Sequence, residues 1–198
     1  MNVYDFDGTI YSGDSTIDFW LFSISKDPLL IRYLPNAAAG FLLYKLGSIS
    51  RTEFKERFFS FLKGIKDPEE YVWLFYEKNK KKIKRWYIDR KNESDVIISA
   101  SPEFLLSAFC EDLDVYLIAS EVDIRSGRFI GPNCRGEEKV RRFRSMFGDV
   151  SPDEFYSDSY SDAPMAEISK KAFYVKKNNI RQWEKGVQNV SSAEKNDK

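Results

Sequence analysis

Apolar residues follow two rhythms along the chain, and the change between them divides it. The N-terminal run Val3-Tyr4 and Phe6, closed by Gly8, reads as a short buried strand ending in a tight turn. From Ile17 to Arg90 apolar positions recur every three or four residues with no β pattern. The stretches TIDFWLFSI, LLIRYLPNAAAGFLLYKLG, SRTEFKERFFSFLKGI and DPEEYVWLFYEKNKKKIKRWYIDR therefore predict a block of helices. Ser50 with Glu53 reads as a capping box, and Asp67 as an N-cap followed by Pro68 in the first turn. Beyond Ser94 strands alternate with helices. DVIISAS leads into PEFLLSAFCEDL, which Pro102 opens; DVYLIAS follows, then EVDIRSGRFIG as a hairpin turning at Ser126–Gly127. GEEKVRRFRSMFG is an amphipathic helix, DEFYSDS a third strand and KAFYVKK the last one.

Strand–helix alternation predicts a parallel sheet with crossover helices. The first strand is cut off from the others by the helical block, so the economical arrangement is an insertion. The expected class is α/β: a Rossmann-like parallel sheet core from residues 1–15 and 91–186, with a helical cap, 16–90, inserted after the first strand. The polar stretch SSAEKNDK falls in an expected disordered tail, 187–198.

Composition narrows the chemistry. Lys plus Arg and Asp plus Glu both number 31, so no global field draws the chain to nucleic acid or an anionic membrane. No apolar run approaches the ~20 residues of a membrane span, so no stable membrane insertion is expected. Two cysteines, Cys110 and Cys134, make neither a disulfide framework nor a zinc quartet. Cys134 has no fixed basic partner and reads as inert. With strand pattern from the first residues and no leader in view, the expected setting is cytoplasmic. Histidine is absent, which excludes Ser-His-Asp, Cys-His and histidine-zinc chemistry and leaves carboxylates, lysine and hydroxyls. Oligomeric state leaves no signal.

Ligands in open parallel sheets bind outside the carboxyl ends of the strands. Strand one ends in Asp5-Phe6-Asp7-Gly8-Thr9, where buried carboxylates are costly unless paired or metal-bound. Ser99 ends the VII run and is preferred there over Ser101; Ala100 follows, and a helix N-terminus suited to phosphate comes next. Lys139 opens a later helix, and EFYSD ends in Asp158 with Asp162 four residues on. Two carboxylate pairs, a hydroxyl and a cation can hold Mg2+ and a phosphoryl group. A calcium loop fits poorly, since Gly8 stands fourth rather than sixth and follows a strand.

DFDGT, SASPE, GEEK and DSYSDAPM, in this order, resemble the four motifs of the haloacid dehalogenase superfamily of phosphatases, and the helical block resembles the C1 cap of its phosphoserine-phosphatase-like subgroup. The resemblance implies a Mg2+-dependent phosphomonoester hydrolase working through an aspartyl-phosphate. Asp5 would be the nucleophile and Asp7 the acid and base. Gly8, Thr9, Ser99, Ala100 and Lys139 would hold the phosphoryl group. Asp5, Asp7 (through its carbonyl) and Asp158 would bind Mg2+, with Asp162 steadying Lys139. Ser157 stands where the family commonly has Gly, and only a slightly altered turn is expected.

The substrate is expected to be a small phosphorylated metabolite, phosphoserine among the candidates. Asp14 and Arg57, with Arg51 second to Arg57, are the residues expected to meet the leaving group. The cap aromatics read as cap core, and KNKKKIK as the solvated face of a helix. Two alternatives remain: a lipid-phosphate phosphatase with an apolar cap pocket, and a non-enzymatic receiver-like phosphoacceptor. Against the receiver, Asp5 lies on the first strand and is accompanied by Asp7.

Overall fold

The computed structural model describes residues 1–184. Its strands are β1 (Asn2–Tyr4), β2 (Val96–Pro102), β3 (Tyr116–Ser120), β4 (Glu154–Ser157), β5 (Lys171–Lys176) and β6 (Asn179–Gln182). They form one sheet in the order β3-β2-β1-β4-β5-β6, parallel throughout except for β6. The order reverses at β1, so the carboxyl end of the central strand opens onto a switch point, where α/β sheets bind ligands. The two faces follow from the two-residue period. Val3, Val96, Ile98 and Phe155 pack with Phe143 and Met165 on one side; Tyr4, Ile97 and Tyr156 join the larger aromatic core on the other.

Between β1 and β2 runs the helical block: α1 (Ser15–Lys26), a 3-10 turn at Pro28–Tyr33, α2 (Leu34–Lys45), α3 (Arg51–Phe59), α4 (Pro68–Asn79) and the single turn α5 (Arg85–Ile88). Crossovers in the sheet are α6 (Glu103–Leu113), α7 (Glu137–Phe147) and the short α8 (Ala163–Ile168). Ser50 and Glu53 make a complete capping box on α3, and Asp67 caps α4 with Pro68 in its first turn. Most cap aromatics are core: Phe19, Phe22, Phe59, Phe61 and Phe75 are buried together.

The block leaves and rejoins the sheet through a paired neck. Tyr11 and Ile83 form an antiparallel bridge, Ser12 N–H donates to the Lys82 carbonyl (2.9 Å) and Lys84 N–H to the Ile10 carbonyl (2.7 Å).

Three local expectations change. KAFYVKK is followed by a further strand, β6, which turns back at Lys177, a residue with φ of 57°. The 121–130 hairpin is reduced to a single bridge, Val122–Phe129. Its Gly127 (φ +73°) lies so close to the Phe59 main chain that a Cβ would stand 2.6 Å from the Phe59 oxygen. KNKKKIK is not one helix face: α4 stops at Asn79, and Lys84 turns inward, buried, to donate to the Gly8 and Lys177 carbonyls. The tail at 187–198 and the last residues of the expected core, 185–186, lie outside the described residues.

Candidate active site

β1 ends at Tyr4, and Asp5 N–H still reaches across to the Tyr156 carbonyl (2.8 Å), which fixes Asp5 at the mouth of the sheet. The chain then turns sharply. Gly8 has φ +70°, and a Cβ there would fall 1.9 Å from Asp158 Oδ2, so only glycine lets the β4 loop close over the first turn. Thr9 sits under the same contact: its fully buried hydroxyl accepts the Asp158 N–H at 2.9 Å. Thr9 therefore ties the first loop to the fourth, and its side chain is not among those lining the cavity described below. Thr9→Val, leaving that N–H without a partner, should cost about 1–3 kcal/mol. A fall in Tm with reduced turnover checks it; unchanged Tm would show that the tie is dispensable.

Lys139, buried at the start of α7, donates to Asp5 Oδ1 and Asp162 Oδ2, both at 2.7 Å. Burial works against the ammonium, but Asp162 and Asp5 outweigh it and its pKa is raised, so it stays charged. Burial pushes Asp5 up, to about 7, against the pull of Lys139. Ser157 does more than alter a turn: its buried hydroxyl donates to Asp162 Oδ2 (2.8 Å) and accepts the Ser159 N–H (3.1 Å). Asp162 thus arrives already oriented for Lys139.

Asp7 faces the other way. Its two oxygens accept from Ser15 N–H at the head of α1 (2.6 Å) and from the Ser101 hydroxyl (2.5 Å). Burial, and then Asp14, lift Asp7 to about 6 despite these bonds, into the range where a carboxyl can exchange protons near neutrality. Ser99, the residue preferred from sequence, is buried at the end of the VII run and accepts Ser101 N–H (3.1 Å). Ser101 bonds Asp7, while Ser99, whose hydroxyl holds the Ser101 N–H, stands at the strand end.

These groups line a cavity of about 610 Å³ roofed by the helical block. The structure brings Asp5, Asp7, Gly8, Ser99, Ala100, Lys139, Asp158, Asp162 and Asp14 to its wall. Asp14 is exposed and already caps α1 by accepting Ile17 N–H (2.9 Å). Arg57 is not there: its aliphatic stem packs on Gly40 of α2, where a Cβ would stand 2.8 Å away. The reason is helical phase. Arg51, Phe54, Lys55 and Phe58, spaced i, i+3, i+4, i+7, share the inward stripe of α3, and Arg57 lies about 100° from Phe58. That stripe is the signal that identifies Lys55 from sequence. Lys55 donates to the Ala100 carbonyl (2.8 Å) and Asn133 Oδ1 (3.0 Å), and burial, reinforced by Arg51, pulls its pKa down to about 7. Arg135 adds a fourth cation to the lining, after Lys139, Arg51 and Lys55. Cys134 is buried, its thiol pushed up to about 11 by burial.

Does this set suit a metal? Among the described residues no three Asp, Glu, Cys or His side chains converge to hold an ion alone. Mg2+ does not require that, since it keeps several waters and takes one or two carboxylates. Asp158 is raised by burial and by Asp162, and Asp5 is raised further by Asp162 and Asp158. Three carboxylates facing one lysine leave an excess of negative charge that a divalent cation would neutralise. The oxygen-only donors fit Mg2+.

The haloacid dehalogenase-like hydrolase family model matches residues 3–167. The chain belongs to this family. Among curated proteins, Protein CicA of Caulobacter vibrioides is 28% identical over 197 residues, covering 86% of this chain and 83% of its own. Solved structures share the fold. A protein of unknown function from Bordetella pertussis Tohama I superposes with a TM-score of 0.69 at 20% identity, covering 87% of each chain. A phosphoserine phosphohydrolase-like protein from Francisella tularensis gives 0.54 at 19%, covering 87% of this chain and 86% of that one. A probable phosphoserine phosphatase from Vibrio cholerae gives 0.61 at 12%, covering 86% and 55%. No helix among the described residues is long and apolar enough to cross a membrane.

Proposed function

We propose that the protein is a Mg2+-dependent phosphomonoester phosphatase that works through an aspartyl-phosphate on Asp5. The observation that carries this is the division between two neighbouring aspartates: Asp5 is held by a charged lysine, and Asp7 is raised to about 6 and held by Ser15 and Ser101. Asp158, Asp5 and the Asp7 carbonyl would hold Mg2+, which when bound supplies positive charge against the phosphoryl oxygens. An Asp5 oxygen attacks phosphorus as the bond to the leaving oxygen breaks, and Asp7 passes its proton to that oxygen. Asp7 then takes a proton from water, which attacks the aspartyl-phosphate and frees both Asp5 and inorganic phosphate. Ser99 and Lys139 bind the phosphoryl oxygens throughout, and Asp162 keeps Lys139 in place. The same fold in proteins named phosphoserine phosphatases supports the phosphatase reading. The test is hydrolysis of p-nitrophenyl phosphate: activity should be lost in EDTA and return with Mg2+ more than with Ca2+, whose looser shell suits the site poorly. Full activity in chelator would end the metal-dependent reading.

Arg51, Lys55 and Arg135 on the cavity wall favour a small metabolite whose leaving group carries its own negative charge. With Lys55 near 7 in the free protein, its cation is lost as pH rises from 6 to 8. The kcat/KM for an anionic phosphomonoester should fall across that range relative to p-nitrophenyl phosphate, and Lys55→Met should flatten the difference. Parallel profiles in the parent protein would remove Lys55 from recognition. A second reading, a phosphomonoester carried on an amphiphile, is favoured by Ile17, Phe54 and Phe58 on the same wall.

A further inference from the structure

The outer side of the helical block is built from residues that a water-facing helix would not carry. In α2 only Ala37 and Gly40 are buried, yet the side turned to solvent is Leu34, Ala38, Phe41 and Leu42, continued by Leu46. Leu29 and Ile31, on the 3-10 turn before it, extend the surface. Leu29, Ile31, Leu34, Phe41, Leu42 and Leu46 are between 40% and 69% exposed. Single exposed leucines are ordinary, but a contiguous patch on one element marks an interaction surface.

Charge says what meets it. From Pro28 to Thr52 there is no carboxylate, while Arg32 and Lys45 supply cations. Lys45 lies over the Phe41 ring and Arg32 over that of Tyr33, so cations stand within the apolar surface. The nearest carboxylates in sequence are tied down at its ends, Asp27 capping the 3-10 turn and Glu53 closing the α3 capping box. A second copy docking by two-fold symmetry would bring this patch against itself, cation toward cation, with no carboxylate of the segment to offset them. An apolar helix face bordered by cations matches the interfacial layer of an anionic bilayer.

We propose that α2 and the 3-10 turn before it dock this protein on the surface of an anionic phospholipid bilayer. The contact is peripheral: α2 has 12 residues and lies along the interface. The surface also adjoins the catalytic cavity, because Phe54, on the cavity wall, packs against Phe41 (5.8 Å) and Tyr44 (5.7 Å) of α2. The docked face and the cavity wall therefore share one aromatic seam.

The test is sedimentation of the full chain with vesicles of phosphatidylcholine alone and of phosphatidylcholine with phosphatidylglycerol. Binding should be at least fivefold stronger to the anionic vesicles and should weaken in high salt. L29Q/L42Q/L46Q, three exposed positions away from the cavity, should lose at least fivefold in binding while p-nitrophenyl phosphate turnover stays level. R32E/K45E should lose the preference for anionic vesicles. Equal or absent binding to the two vesicle types would overturn the proposal. So would a lipid-independent dimer in velocity sedimentation that the triple variant dissolves, since that would make a second copy the occupant. Turnover is read separately, so failure of the phosphatase reading would not be confused with failure of docking.

Discussion

Asp5→Asn should remove turnover of p-nitrophenyl phosphate by about 10⁴-fold or more, because the amide cannot attack phosphorus. Acid-quenched protein should carry labelled phosphate in the parent chain and none in the variant. Stability should move the other way. The Asp5 pKa is raised by burial, so its ionised form is the disfavoured one in the fold, and that cost is present above about pH 7. Replacing it with a neutral isostere in metal-free protein should leave Tm level or higher at pH 8. A variant that keeps the phosphoenzyme would place the nucleophile elsewhere. A variant that loses activity through a collapse in Tm would reduce Asp5 to a structural group.

Lys139→Met should fail on both counts. The parent ammonium, itself buried, neutralises two carboxylates at 2.7 Å. Removing it leaves Asp5 and Asp162 facing one another without a cation, and breaking a buried pair in this way costs about 3–5 kcal/mol. Thermal denaturation should register that loss. The double variant Lys139→Met with Asp162→Asn removes one of the stranded charges and should recover a large part of the stability with no recovery of turnover. If both stability and activity return together, Lys139 acts only as scaffolding.

The candidate site was legible in the sequence because its chemistry constrains residue type. Asp5 and Asp7 stand out in an apolar strand, and Gly8 is required by a contact with Asp158 that no side chain could survive. The cap was less legible, since its residues are chosen by helical phase. Arg57 is as basic as Arg51 and lies on the same helix, but two residues beyond Lys55 it points toward Gly40. Lys84 was hidden in a lysine run whose helix ends early, a boundary set by the neck and by no local propensity. β6 escaped because NIRQ is an edge strand with little apolar content, paired through a turn that opens on Lys177.

The neck has a consequence for how this architecture can change. The outgoing chain at Ile10–Ser12 and the returning chain at Lys82–Lys84 lie side by side, joined by main-chain hydrogen bonds. Main-chain pairing reads no side chains, so it survives whatever sequence lies beyond it. To the sheet half, the 69 residues between them, 13–81, are a module with adjacent ends, plugged into one socket. Such a module can lengthen, shorten or be exchanged for another without re-registering the sheet, provided its two ends still meet. The chemistry and its address can therefore evolve on separate schedules, one written at the strand ends and the other in the plug.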